Sequence, residues 1–185
     1  MLKNLIAQIK QYKKVTILTP IFTALEVFME ILIPFVIAEL IDKGIEAGDM
    51  GQVYFYGSIM ALLALFSLLF GILAGLFAAD ASSGFACNLR NALFSKIQTF
   101  SFSNIDRFST AGLVTRMTTD VTNMQNAFQM SLRIAVRAPL TFLCSMFMCL
   151  FIDVELSMIF FAAVIILGCV LFFIMSRANK IFTKV

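Results

Sequence analysis

The sequence predicts an all-α integral membrane protein in which four long transmembrane helices extend beyond the membrane. Composition is the first indication: 61% of the 185 residues are hydrophobic and 14% are charged, against about a quarter charged in an ordinary soluble domain. Mean hydropathy is +0.95. The second indication is a set of apolar runs long enough to cross a bilayer, and the third is helical periodicity in the polar segment between two of them.

The first 14 residues predict an interfacial helix. Four lysines alternate with apolar residues at helical spacing, namely Lys3, Lys10, Lys13 and Lys14 with Leu2, Leu5, Ile6 and Ile9. A basic amphipathic helix of this kind lies on the membrane surface, here on the cytoplasmic side. A signal peptide is the alternative, but the apolar run that follows is too long, contains acidic residues and lacks a small-residue cleavage site.

Residues 15–185 predict a partial transmembrane domain with four spans. The spans are expected at 15–41, 53–79, 133–152 and 156–175. Two short acidic connections, residues 42–52 and 153–155, join them in pairs. Lys43 is then the only one of the 14 basic residues placed outside. Since cytoplasmic loops carry an excess of Lys and Arg, the N-terminus is expected in the cytoplasm.

Residues 80–132 predict a long helical hairpin outside the membrane. Each arm carries one apolar stripe and spans about 22 residues, or roughly 33 Å. The stripes are Phe85, Leu89, Leu93, Ile97 and Phe100, then Leu113, Met117, Val121, Met124, Phe128 and Leu132. Between the arms, Ser103-Asn104-Ile105-Asp106 has the form of a capping box, which predicts a short helix across the tip.

Two carboxylates interrupt the first span. Glu26 and Glu30 are one helical turn apart, and counting from Val15 places Glu26 about 16 Å into a core of about 30 Å, near the midplane. Both should therefore face protein or a water-filled cavity, and we take them as a candidate substrate cavity. The alternative is that they bond to neighbouring helices and only hold the bundle together.

Two arginines, Arg133 and Arg137, begin the third span. We expect them to extend toward the inner membrane boundary. A role in contacting lipid headgroups or in substrate entry is the alternative.

Several classes of site are disfavoured by composition. The chain has no His, and its four Cys residues show no CxxC or zinc-type spacing, so no metal site is expected. It contains no GxxxxGK[ST] loop, GxGxxG turn or Ser/His/Asp arrangement, so neither a catalytic site nor a bound cofactor is expected in this chain. The net charge is +3, but the basic residues are dispersed around membrane segments, which disfavours nucleic-acid binding.

Four sequence segments carry a resemblance to a known family. They are Ile41-Asp42-Lys43-Gly44-Ile45, residues 89–94 (LRNALF), residues 109–121 (STAGLVTRMTTDV) and residues 137–140 (RAPL). Across essentially its whole length the chain resembles the N-terminal part of the membrane domain of ATP-binding cassette (ABC) exporters, and most closely the multidrug-type branch that often forms heterodimers. One departure is that Ala111, not Gly, follows Thr110, which puts in doubt any role tied to a Gly at that place.

The resemblance implies an exporter subunit in a cell membrane, such as a bacterial plasma membrane, moving amphipathic or drug-like substrates by alternating access. The region 101–120 would couple to nucleotide-binding domains, and a second half-transporter would complete a homo- or heterodimer. ATP and Mg²⁺ are implied for a nucleotide-binding domain outside this chain, which would be a fragment. The implied coupling helix comprises Ser103, Asn104, Ile105, Asp106, Arg107 and Phe108. The alternative is a stand-alone four-span membrane channel or scaffold protein, with the hairpin as a regulatory or partner-docking element.

Overall fold

The computed structural model describes residues 7–100, 109–152 and 154–182. Within these ranges the chain is helical and contains no strand, and four helices are long and apolar enough to cross a membrane. The predicted all-α membrane fold is thus confirmed. The α-helices of the described residues are α1 Lys13–Leu40, α2 Met50–Gln98, α3 Thr110–Thr115, α4 Val121–Ile152 and α5 Val154–Phe182. The chain divides into two compact units, Met1–Thr141 and Phe142–Val185.

The N-terminal segment differs from the predicted interfacial helix of residues 1–14. Its described part is a 3-10 helix, Ala7–Tyr12, with a kink at Lys10 (φ 40°), and α1 begins at Lys13. The segment is held by α2: the Asn88 side-chain amide donates to the Gln8 carbonyl oxygen over 2.8 Å, and the Tyr12 ring lies against Gly84, where any Cβ would overlap it. Docking on α2 therefore sets the local conformation. Residues 1–6 lie outside the described residues.

Helices α1 and α2 pack against each other through small residues. The buried faces comprise Thr19, Thr23 and Val27 on α1 and Ala74, Ala78, Ala81 and Ser82 on α2. Both threonine hydroxyls donate to carbonyls four residues earlier, Thr19 over 3.0 Å and Thr23 over 2.9 Å, so neither is buried without a partner. Small side chains allow two membrane helices to approach closely.

The connection between α1 and α2 is more helical than the predicted loop at residues 42–52. A π-helix, Ile41–Glu46, extends the end of α1, and α2 begins at Met50. The reversal occurs at Gly48, whose φ of 67° suits glycine. Asp49 then caps α2, because its Oδ1 accepts the Gly51 N–H over 2.8 Å.

The predicted hairpin has two arms that touch along their apolar stripes. Helix α2 runs for 49 residues without interruption, so the second span and the upstream arm form one rod, as the sequence predicted. Phe85 stacks on Phe128 with ring centroids 4.6 Å apart, and the exposed part of Val121 is only 1%. The predicted tip helix lies outside the described residues.

The downstream arm is interrupted where a continuous α-helix was predicted. It consists of α3, a π-helix Arg116–Asp120, and α4. Ser109 caps α3, since its hydroxyl accepts the Gly112 N–H over 3.2 Å. Thr115 and Thr118 each donate to the carbonyl four residues earlier, over 3.1 and 2.8 Å. Such side-chain hydrogen bonds compete with the backbone hydrogen bonds of the helix. They give the wider turn of the π-helix a local cause.

The second compact unit contains the end of α4 and all of α5. Of the predicted turn at 153–155, residue 153 lies outside the described residues; α4 ends at Ile152, and Val154 begins α5. The predicted fourth span, 156–175, lies within α5, which continues to Phe182. Its large apolar side chains are exposed from Met158 to Met175, as suits contact with lipid or with further helices.

Candidate functional site

Three charged side chains meet within the first compact unit. The Arg137 Nη1 on α4 donates to Glu26 Oε1 over 2.8 Å. Its Nη2 donates to both oxygens of Glu30, over 2.8 Å to Oε1 and 2.9 Å to Oε2. One guanidinium therefore joins two carboxylates of α1 to α4, and the fork geometry of arginine suits this double contact.

The backbone of α2 approaches the Glu26 carboxylate closely at Gly71. A Cβ placed on Gly71 would lie 2.9 Å from Glu26 Oε1, which is closer than real side-chain carbons come. Only 9% of the Glu26 side chain is exposed, against 38% for Glu30 and 40% for Arg137. Glycine at position 71 thus makes room for the buried carboxylate.

Glu26 keeps one oxygen uncommitted. Its Oε2 is buried and has no hydrogen-bond partner among the described residues. An unpaired buried acceptor is costly, so this oxygen is the strongest unused binding group in the region. With two carboxylates and one guanidinium, the three side chains carry a formal charge of −1.

The carboxylates line a cleft of about 520 Å³. Its lining combines charged groups with an apolar wall and consists of Glu26, Glu30, Ile33, Ala64, Ser67, Leu68, Gly71, Ile72 and Arg133. A second cleft of about 280 Å³ is lined by Gln129, Met130, Arg133, Ile134 and Arg137. Arg133 lines both clefts, so the first contains a cation as well as the two predicted carboxylates.

The structure brings together two groups that the sequence placed at different depths. Sequence counting put Glu26 near the midplane and Arg137 at the inner boundary, but the 2.8 Å contact puts them at one level. Because two carboxylates offset its charge, Arg137 does not need to reach the headgroups. Sequence reasoning missed this partnership, although the rarity of unpaired charges within spans was a usable signal.

The other predicted site, the coupling helix at Ser103–Phe108, lies outside the described residues. The hairpin arms that lead to it do approach each other, and they enclose a small apolar pocket of about 90 Å³. Its lining draws on both predicted stripes: Leu93, Lys96, Ile97, Phe100, Leu113, Arg116 and Met117.

The comparisons with known proteins all point to one family. The family model described as ABC transporter transmembrane region matches residues 16–185. A relative named "Uncharacterized ABC transporter ATP-binding protein YfiB", from Bacillus subtilis (strain 168), is 33% identical over 177 residues, which cover 96% of this chain and 31% of the relative. A similarly named protein of Mycobacterium tuberculosis (strain CDC 1551 / Oshkosh) is 27% identical over 95% of this chain and 30% of its own length.

The chain thus spans about a third of the length of the curated relatives it matches. The family model covers nearly all of the chain, and the four apolar helices are those of a multi-pass membrane protein. The chain therefore belongs to the ABC transporter transmembrane region family.

Proposed function

We propose that this chain is the membrane part of an ATP-driven ABC exporter subunit that moves amphipathic or drug-like molecules by alternating access. A second half-transporter completes the substrate path, as a homodimer or in the heterodimeric multidrug branch. Family membership supports a transport role, and the relatives are named as ATP-binding proteins. ATP and Mg²⁺ are assigned to nucleotide-binding domains and to no residue of this chain, because its sequence has no phosphate-binding loop.

The observation that carries this proposal is the continuity of α2. The helix is 49 residues long and includes both a membrane span and an arm of the hairpin. At 1.5 Å per residue it is about 73 Å long, more than twice the thickness of a hydrocarbon core. A continuous rod can transmit a displacement from one end to the other, and a small channel would not require such an arm.

The region 101–120 is proposed to contact the nucleotide-binding domains through Ser103–Phe108. In the complete protein, Asp106→Arg or Ser103→Pro should abolish substrate stimulation of ATP hydrolysis and reduce transport at least tenfold, while basal hydrolysis persists. Asp80→Arg makes the same charge change at an exposed position on α2 and should leave both activities unchanged. Normal transport and normal stimulation in both tip variants would reject the coupling role.

The cleft beside Glu26 and Glu30 is proposed as part of the substrate path. Glu30 and Arg137 bind each other through two hydrogen bonds, so the buried, unpartnered Oε2 of Glu26 is the group left for a ligand to satisfy. Glu26→Gln should selectively weaken export of compounds that carry an ammonium group. Equal loss for compounds lacking that group, or loss of folded protein, would instead assign Glu26 a structural role.

The N-terminus and the hairpin are proposed to face the cytoplasm. The basis is the charge bias, since Lys43 is the only basic residue on the opposite side. In a background with all four cysteines replaced, Asp49→Cys should react with an impermeant thiol reagent in intact cells, and Lys96→Cys should react only after permeabilisation. The reverse labelling pattern would invert the topology.

A further inference from the structure

We infer that the cleft of α1, α2 and α4 recognises a zwitterionic amphiphile, with an ammonium group at Glu26 and an anionic group at Arg133. The inference rests on the proposed transport function and deepens it by naming the substrate class. The shared chemistry is an ammonium, a phosphate or carboxylate, and a hydrocarbon portion on one molecule. A bilayer phospholipid or a soluble amphiphile could supply it.

The anionic group is assigned to Arg133 because this cation is unpaired. Arg133 lines the same cleft as Glu26, and it forms no ion pair with any residue of the described ranges. It lies one turn before Arg137, or about 6 Å along the helix axis. Arg137 is already occupied by both carboxylates, so Arg133 is left as the cleft's anion-binding group.

The ammonium group is assigned to Glu26 because its Oε2 is the unsatisfied acceptor. The side chain is 9% exposed, and Oε2 has no partner among the described residues although Oε1 is bonded to Arg137. An ammonium is a compact donor with three N–H groups. Because Oε2 is buried, the ammonium must displace the side chains around it to reach this oxygen, while the bond from Arg137 to Oε1 remains in place.

The charge count favours a ligand that carries both signs. Glu26, Glu30, Arg133 and Arg137 together have no formal net charge. A purely cationic ligand would satisfy Glu26 but lie beside the unpaired Arg133, and a purely anionic ligand would lie beside the unpaired Glu26 oxygen. Each leaves one charge desolvated without a partner, and such penalties generate specificity.

The hydrocarbon portion is assigned to the apolar wall of the cleft. That wall is formed by Ile33 of α1 and by Ala64, Leu68 and Ile72 of α2. Leu68 and Ile72 are more than half exposed, so they offer apolar surface against which a hydrocarbon chain can pack. The cleft thus combines two charged contacts with an apolar surface.

The direct test measures binding of three amphiphiles with the same alkyl chain to the complete protein in nanodiscs. Dodecylphosphoethanolamine carries both charges, dodecylamine only the positive one, and dodecyl phosphate only the negative one. Isothermal titration calorimetry should give an affinity for the zwitterion about tenfold above that for either other probe. Arg133→Gln should abolish its advantage over dodecylamine, and Glu26→Gln its advantage over dodecyl phosphate.

Two matched substitutions control for general effects of charge removal. Glu39, near the C-terminus of α1, and Lys43, in the π-helix that follows, form an ion pair outside the cleft. Glu39→Gln and Lys43→Gln should therefore preserve the order of the three affinities. Unchanged thermal unfolding of each variant establishes that the protein remains folded.

Three results would overturn the inference: dodecylamine binding as tightly as the zwitterion, an affinity order that Arg133→Gln does not change, or no binding of any probe. If dodecylamine binds tightly and its binding needs Glu26 but not Arg133, the proposed substrate path stands. Only the inference that the ligand is zwitterionic is then refuted. If neither Glu26→Gln nor Arg133→Gln changes binding or transport, the proposal that the cleft is part of the substrate path is also refuted.

A second arm distinguishes the two sources of the ligand. If a bilayer lipid occupies the cleft, the affinity for dodecylphosphoethanolamine should fall as phosphatidylethanolamine replaces phosphatidylglycerol in the nanodisc. An affinity that is independent of lipid composition assigns the site to soluble amphiphiles. Either result is consistent with recognition of both charges.

Discussion

At the residue scale, Arg137 of α4 holds the carboxylates of Glu26 and Glu30 of α1 through two ion pairs. The sequence predicted that Glu26 and Glu30 face protein or a water-filled cavity, because a carboxylate facing lipid is costly, and the structure buries Glu26. The sequence did not indicate that Arg137 is the partner of Glu26. Counting residues along each span ignores which helices are neighbours, so α1 and α4 were assigned charges at different depths although these charges touch.

Removing Arg137 should be more damaging than removing Arg133. Arg137→Gln would leave Glu26 and Glu30 close together without their shared cation, whereas Arg133 has no described ion-pair partner to lose. Breaking a buried pair costs about 3–5 kcal/mol. Since Arg137 is 40% exposed, we expect about 2 kcal/mol of the unfolding free energy to be lost after allowing for screening.

Thermal or denaturant unfolding in detergent tests this expectation. Replacing all three groups, with Glu26→Gln and Glu30→Gln added to Arg137→Gln, should recover part of the loss because no uncompensated charge remains. Equal stability of the Arg133→Gln and Arg137→Gln variants would mean that the ion pairs do not stabilise the bundle.

The space beside Glu26 gives a second residue-scale prediction. A Cβ at Gly71 would press on the Glu26 carboxylate at 2.9 Å, whereas a Cβ at Gly75, one turn further along α2, would meet nothing within 4 Å. Both substitutions to Ala gain helix propensity, worth up to about 1 kcal/mol. Gly75→Ala should therefore keep or raise the melting temperature, and Gly71→Ala should lower it. Equal changes in melting temperature for the two variants would contradict the close contact between position 71 and Glu26.

At the element scale, the hairpin was largely predictable and its local irregularities were not. The two apolar stripes identified which faces of the arms meet, and Phe85 and Phe128 from those stripes are stacked. The π-helix at Arg116–Asp120 and the 3-10 helix at Ala7–Tyr12 were missed. They arise from threonine-to-carbonyl bonds and from docking on α2, and hydrophobic periodicity reports neither.

The contact between the arms should be measurable as a coupling energy. A double-mutant cycle of Phe85→Ala and Phe128→Ala should give about 1 kcal/mol beyond the sum of the single effects, because the rings stack at 4.6 Å. Phe94 lies on the same arm but is 49% exposed, so a cycle of Phe94→Ala with Phe128→Ala should show no coupling. Additive effects in the first cycle would show that the contact between Phe85 and Phe128 does not stabilise the hairpin.

At the scale of the whole molecule, composition alone predicted the membrane fold, because four apolar helices need little tertiary information to be recognised. The cleft at Glu26 could not be predicted in full. It depends on a glycine of α2, a cation of α4 and the carboxylates of α1 converging in space. Family membership supports a transport role for the domain, and the export proposal assigns this arrangement to the substrate path.

The most direct test of the central claim is transport in proteoliposomes that contain the complete protein and its partner half-transporter. A fluorescent zwitterionic amphiphile should accumulate on one side against its gradient when ATP and Mg²⁺ are supplied to the side bearing the hairpin. Glu26→Gln and Arg133→Gln should each slow this accumulation severalfold. Movement only down the gradient, equally fast without ATP, would contradict the exporter account and favour a passive channel.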